Sequence, residues 1–221
     1  MSFSAEWDQV YRQARHLSVW PWSDLVSYVH RHARPADGFR RVLELGCGAG
    51  ANIPFFLDLG MDYFAIEGSG HIVARLHERF PETLDRIVAA DFTKALPFTG
   101  QFDLIVDRGS VTHNTTPAIR ATLTMACERL RSGGKLIGLD WLSAEHKDAV
   151  RGESIDSHTR TNIPDGQFQG LGKIHFADQQ HLVELLTGAG FSIDRLEHKR
   201  IDRILPAENG LCWWNFVTVK P

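Results

Sequence analysis

Glu44, Glu67, Asp91 and Asp107 each end, or nearly end, a short apolar run. The first is followed by three glycines, Gly46, Gly48 and Gly50, in the stretch "VLELGCGAGAN". Glycine lets a ligand approach the backbone and accepts positive φ, and N–H groups where a loop enters a helix attract anions. A carboxylate two residues upstream works in the opposite direction, because like charges repel at short range. Glu44 therefore disfavours a pyrophosphate and favours a small molecule carrying an ammonium and a second positive centre. Glu67, 17 residues after Gly50, can accept from both hydroxyls of an adenosine ribose. Asp91, followed by Phe92, can accept from an adenine amino group. The glycine spacing leaves one alternative open, because Gly46-x-Gly48-x-x-Ala51 also fits the dinucleotide fingerprint. An NAD-dependent oxidoreductase, or a nucleotide-binding protein without catalysis, is that alternative, and Glu44 and the Asp91-Phe92 pair argue against the oxidoreductase.

A second set of groups suits proton transfer. "DRGSVTHN" carries Arg108, His113 and Asn114; "DWLSAEH" carries Asp140, Trp141 and His146; "GKIHF" carries Lys173 and His175. A histidine within reach of a hydroxyl can act as its general base, which makes His113, His146 and His175 the candidates, with Asp107 and Asp140 at the same edge. The spacings of His146, Asp148, His158 and His175 follow no metal motif, so no metal site is expected.

These groups need a scaffold that brings them to one edge. "RVLELG" (41–46), "DYFAIE" (62–67), "RIVAAD" (86–91), "FDLIVD" (102–107) and "KLIGLD" (135–140) are apolar with little alternation, as expected of parallel strands covered on both faces. Helices alternate with them. Pro54 suits the first turn of one starting near Asn52. Ser69 caps a second that runs to about Arg79. Thr116-Pro117 opens a third, closed by Gly133-Gly134. A fourth helix lies in "ADQQHLVELLTGAG", and "FSIDRLEHKRI" and "CWWNFVTVK" then follow as antiparallel neighbours. The pattern predicts a doubly wound α/β sheet, whose ligand site lies at the carboxyl ends of its strands.

The 221 residues, 43% hydrophobic, suit one large domain. Within it the expected parts are an N-terminal helical and aromatic lid (1–35), a cofactor core (36–141), an acceptor-side insert (142–176) and a C-terminal helix and hairpin (177–221). A net charge of -3 without a long basic run gives no reason to expect a nucleic-acid partner. No apolar stretch reaches the ~18 residues of a membrane span, and the N-terminus lacks a signal-peptide pattern. The three cysteines are too widely separated for a disulfide framework. A cytoplasmic protein is expected.

Taken in order, "LELGCGAG", Glu67, the Asp91-Phe92 pair, "FDLIVD" and "LRSGGKLI" span about residues 40–140 and resemble the class I S-adenosylmethionine-dependent methyltransferases. The resemblance implies a mostly parallel seven-stranded sheet of order 3-2-1-4-5-7-6 with a C-terminal antiparallel hairpin. It implies S-adenosylmethionine as cofactor and S-adenosylhomocysteine as product. Cofactor contacts are expected from Glu44, Gly46, Gly48, Gly50 and Asn52 at the glycine loop, and from Glu67, Gly68, Asp91, Phe92 and Asp107 at later strand ends. Gly68 departs from the family, which often places a side chain there to pack on adenine, so Phe92 or Ile72 must cover that face. His113 is the first choice of base, since the loop after the fourth strand faces the methyl group in this family.

Near the N-terminus, Trp7, Tyr11, Trp20 and Trp22 cluster around Arg12, Arg15 and His16. They read either as a helix packed on the sheet or as a lid whose aromatic faces, Tyr11 and Trp20 among them, meet the sulfonium. The expected acceptor is a small polar molecule. Oxygen methylation is favoured over nitrogen because of the histidines, and the polar insert points to a hydrophilic acceptor rather than a lipid.

Overall fold

The computed structural model describes residues 5–13 and 17–221. Its strands are β1 (Arg41–Leu45), β2 (Asp62–Glu67), β3 (Ile87–Ala89), β4 (Phe102–Arg108), β5 (Leu130–Leu142), β6 (Glu153–Ser154), β7 (Thr159–Thr161), β8 (Ile174–His175), β9 (Ser192–Arg203) and β10 (Glu208–Val219). Its helices are α1 (Ala5–Arg12), α2 (Ser23–His32), α3 (Ile53–Asp58), α4 (Gly70–Arg79), α5 (Thr116–Arg129) and α6 (Gln179–Gly188).

Seven strands form one sheet in the order β3-β2-β1-β4-β5-β10-β9. Counted within that sheet the order is 3-2-1-4-5-7-6, as expected. The first five strands are parallel neighbours, and β10 runs antiparallel to both β5 and β9. Helices cover both faces. Leu43, Leu45 and Ile105 pack with Ile119, Leu123 and Leu182 on the side of α5 and α6. Val42, Leu104 and Val106 pack with Leu25, Ile53 and Ile72 on the side of α2, α3 and α4. Burial on both faces explains why these strands read as unbroken apolar runs.

Local signals set most helix starts. The Ser69 side chain accepts from Ile72 N, and Asp178 accepts from His181 N, so both act as N-caps. Pro54 and Pro117 occupy first turns. The Gly133-Gly134 pair does not close α5, which already ends at Arg129. The pair sits where the register of β5 against β4 jumps from Phe102↔Leu130 to Leu104↔Lys135. Extra residues on one strand make a bulge there.

Residues 142–176 also differ from the polar loop that their composition suggests. The strands β6, β7 and β8 form a small antiparallel sheet. Ile163, Phe168, Leu171, Ile174 and Phe176 make a third apolar cluster with Val10 of α1 and Leu142. The apolar residues of this segment are too widely spaced to show periodicity, and most of them reach the cluster from the chain between β7 and β8. Among the described residues, no helix is long and apolar enough to cross a membrane.

Candidate active site

A cavity of about 310 Å³ opens at the carboxyl edge of the sheet. One half is lined by Gly46, Glu67, Gly68, Asp91, Phe92 and Ser110, under Tyr11. The other half is lined by Trp7, Arg108, His113, Asn114, Asp140, Gln167, Phe168 and Trp213.

The first half is built from the ends of β1, β2, β3 and β4. Gly46 has φ +69, and a Cβ there would collide with the Ser110 side chain. The turn is therefore closed to other residues on both counts. Glu67 is 4% exposed. Its Oε2 accepts from Gly48 N at 2.9 Å and its Oε1 from Ser69 N at 3.0 Å. Two backbone donors thus fix the carboxylate, and each oxygen retains a further acceptor site. Burial raises its pKa, against the pull of those N–H groups. Asp91 accepts through Oδ1 from Thr93 N and Oγ1. Phe92 supplies the apolar wall that Gly68 does not. Ile72 belongs to the core under α4.

Several expected site residues lie behind the cavity wall. Glu44 does not line the cavity. On β1 its neighbours Leu43 and Leu45 face the α5 side, so alternation turns Glu44 to the other face. There its oxygens accept from Asn52 Nδ2 at 2.7 Å and Tyr63 OH at 2.6 Å. Burial pushes its pKa up to about 7. Glu44 and Asn52 thus brace the glycine loop from below, and neither lines the cavity. Gly48 and Gly50 shape the same loop. Gly48 approaches Tyr11 OH, and a Cβ on Gly50 would meet Leu76 and Ile53.

Asp107 is fully enclosed as well. Its carboxylate accepts from Ser110 N, Ser110 Oγ and Val111 N, and from Trp141 Nε1 at 2.6 Å. Burial raises its pKa to about 6. It organises the loop that carries His113 and does not reach the cavity.

His113 lines the second half, edge-on to Trp7 with ring centroids 4.8 Å apart. His146 does not. It lies behind Phe168 and Trp213, 2% exposed. Asp148 N donates to its Nδ1, so a neutral ring carries its proton on Nε2. The Gln167 amide lies 3.1 Å from that Nε2. The donor at Nε2 calls for the Gln167 oxygen, which turns the Gln167 NH₂ towards the cavity. His175 is buried beside His158 and His181, away from the cavity. Desolvation lowers its pKa to about 3.

Arg108 stacks on Trp22, 3.8 Å from the ring centroid, and pairs with Asp140 and Asp24. Asp140 has φ +53, an uncommon conformation for a residue with a side chain. Its carboxylate is also held by Lys199 at 3.0 Å. Trp20 is 80% exposed and does not line the cavity. Arg15 and His16 lie outside the described residues. Helix α1 carries Trp7 and Tyr11 over the cavity, and Asp8 accepts from the Ser69 hydroxyl at the N-terminus of α4.

Ser110, Gln167, Phe168 and Trp213 are cavity residues that motif reasoning passed over. Trp213 had a signal. In a strand, adjacent Trp213 and Trp214 must face opposite sides, so both cannot belong to the α6-side core that holds Trp214.

A glycine turn at β1, acids beyond β2 and β3 and a 3-2-1-4-5-7-6 sheet together define a class I S-adenosylmethionine-dependent methyltransferase. The chain matches a family model described as a methyltransferase domain over residues 12–196, and it belongs to that family. A methyltransferase structure from Methanosarcina mazei superposes with a TM-score of 0.68 at 17% identity, covering 92% of this chain and 99% of that one. The 1,6-didemethyltoxoflavin-N1-methyltransferase of Burkholderia thailandensis, solved with that molecule and S-adenosylhomocysteine, gives 0.59 at 23% identity over 100% and 91%. A small-subunit ribosomal RNA methyltransferase A of Porphyromonas gingivalis is 47% identical over 51 residues, 23% of this chain. The chain spans about a fifth (20%) of the length of such curated relatives. The cofactor is S-adenosylmethionine.

Proposed function

We propose that this methyltransferase acts on a hydroxyl of a small, flat acceptor with a polar edge, and that His113 is its general base. The observation that carries this reading is the single cavity shared by Glu67 and Asp91 at one end and His113 at the other. When bound, S-adenosylmethionine supplies a methyl group on a positively charged sulfur. Glu67 is suited to the ribose hydroxyls and Asp91 to the adenine amino group, with Phe92 against the base. At the far end Trp7, Phe168 and Trp213 form aromatic walls suited to a ring. Arg108, Asp140 and the Gln167 amide offer polar partners at its rim. This moves the acceptor away from the wholly hydrophilic molecule that the insert's composition suggests, because the polar side chains of residues 142–176 mostly face elsewhere.

His113 then takes the acceptor proton as the oxygen attacks. The closed aromatic lid keeps water from the reacting atoms. The single division of the chain into lid, core, insert and hairpin (1–35, 36–141, 142–176, 177–221) fits these roles. The three cysteines, free and buried, suit action in the cytoplasm.

The test is a panel of hydroxylated and nitrogen-containing ring compounds incubated with S-adenosylmethionine, with products read by mass for one added CH₂. With an active acceptor, His113→Ala is expected to lower kcat by ~10²–10⁴-fold while S-adenosylhomocysteine affinity holds. The base-dependent limb of the pH profile should disappear. A kcat within about threefold at every pH refutes the base, and methylation only of nitrogen compounds refutes the hydroxyl.

A further inference from the structure

A cluster on the hairpin takes no part in the cavity. Glu145, in the turn after β5, His198 on β9 and Cys212 on β10 each bring one ligating atom within 4.8 Å of the other two. They are the single such set among the described residues. Trp214 pairs with His198, and Cys212 is two residues from Trp214 on the same strand face. We propose that these three side chains bind one divalent ion of the zinc class.

The ligand types choose the ion. A thiolate, an imidazole and a carboxylate together suit borderline ions such as Zn²⁺ or Co²⁺ and serve Mg²⁺ or Ca²⁺ poorly. The distances are close to what is needed. Bonds of about 2.0–2.3 Å in a tetrahedron place ligand atoms about 3.3–3.6 Å apart. Closing the gap falls to Glu145, whose side chain is 62% exposed and can move.

The imidazole is already oriented. Its ring stacks on Trp214 with centroids 4.1 Å apart, and its Nε2 lies 2.9 Å from the Ser143 hydroxyl. Ser143 is fully buried, and its Oγ also accepts from Glu145 N at 3.1 Å. With Nε2–H donating to Ser143, Nδ1 presents its lone pair to an ion. Such a partner on the far nitrogen of a ligating histidine fixes its tautomer and raises its basicity.

Arg200 is the opposing charge, 4.0 Å from Glu145 and 3.4 Å from Asp202. It is 56% exposed and can move to Asp202 as the ion enters. Binding displaces one proton, from the Cys212 thiol, and leaves the fourth position to water. The ion would clasp the hairpin to the root of the insert, where Ser143 N already donates to Cys212 O at 3.2 Å.

Untagged, reduced, full-length protein titrated with CoCl₂ tests the site. One equivalent should produce a thiolate-to-cobalt band in the near ultraviolet and tetrahedral bands in the visible, and ZnCl₂ should bleach both. Cys212→Ser should abolish the near-ultraviolet band. Glu145→Ala, at an exposed position that does not threaten folding, should weaken binding by at least ~tenfold. Ser143→Ala should weaken it by ~10–100-fold at unchanged stoichiometry. Absence of the band at one equivalent overturns the proposal. So does a band that persists in Cys212→Ser, or unchanged affinity in Glu145→Ala.

Discussion

Glu44 shows how one side chain's direction changes its role. It sits two residues from the glycine turn, yet its carboxylate is sealed under the loop with Asn52 and Tyr63. Its pKa in the fold, about 7, lies above the ordinary 4.5 because burial outweighs its two donors. Between those values the folded chain holds a proton that the unfolded chain has released. The stability it contributes therefore falls as pH rises through that window, by on the order of 3 kcal/mol. Glu44→Gln keeps the shape without the titration. Urea unfolding at about pH 5 and pH 7.5 should show the variant gaining on the parent at the higher pH, and equal slopes would refute this. At the neighbouring turn, Gly46→Ala places a Cβ against Ser110 at positive φ. A loss of ~1–3 kcal/mol in thermal melts is expected, together with weaker S-adenosylhomocysteine binding by calorimetry.

At the scale of elements, the insert is tied to the body by histidines. His158, just before β7, stacks on His181 of α6 with ring centroids 3.6 Å apart, and His175 of β8 lies 5.2 Å from His181. His175 has its pKa lowered from 6.5 to about 3, first by desolvation and then by its histidine neighbours. Here the unfolded chain binds the extra proton. The stability contribution is complete above pH 6.5 and is lost as pH falls towards 3, about 2 kcal/mol of it by pH 5. Hydrogen-exchange protection in residues 153–175, corrected for the intrinsic pH dependence of amide exchange, should fall on going from pH 7 to pH 5, and His175→Asn should reduce that fall. Corrected protection that is insensitive to pH there would mean that the cluster does not hold the insert. In the main sheet, Gly138 of β5 faces the Phe216 ring of β10 so closely that a Cβ would overlap it. Gly138→Ala should cost ~1–3 kcal/mol in urea unfolding through overpacking, since Phe216 is fully buried and has nowhere to go.

At the scale of the molecule, α1 and the insert share an apolar cluster across the cavity mouth, with Val10 and Trp7 from one side and Phe168 and Leu171 from the other. Trp7 and Phe168, one from each side, line the cavity, so a ligand bound there should order the two sides together. Hydrogen exchange with saturating S-adenosylhomocysteine is expected to show joint protection of residues 5–13 and 163–171. Protection restricted to residues 44–110 would mean that the roof does not respond to the cofactor. Trp20, exposed outside the roof, serves as the control, because Trp20→Ala should leave cofactor affinity within about twofold. A larger loss would return it to the site.

The sequence alone located the strands of the main sheet, though not the early start of β5 or the small β6-β7-β8 sheet. Parallel strands buried on both faces appear as continuous apolar runs, and the acids and glycines that stop them mark the ligand edge. Ser69, Asp178 and Pro117 announced their helices because caps are local chemistry. The same double burial hid the face on which Glu44 and Asp107 point, since apolar residues on both sides erase the alternation that would reveal it. Only tertiary structure decided that these two acids brace loops while Glu67 and Asp91 line the cavity. Only it decided that His146 supports Gln167, and that Trp213 lines the cavity while Trp214 enters the core. Glu145, His198 and Cys212 illustrate the same limit. They stand on three separate segments, and the pairing of β9 with β10 beside the turn after β5, with a register specified by no single stretch of chain, brings their ligating atoms within 4.8 Å of one another.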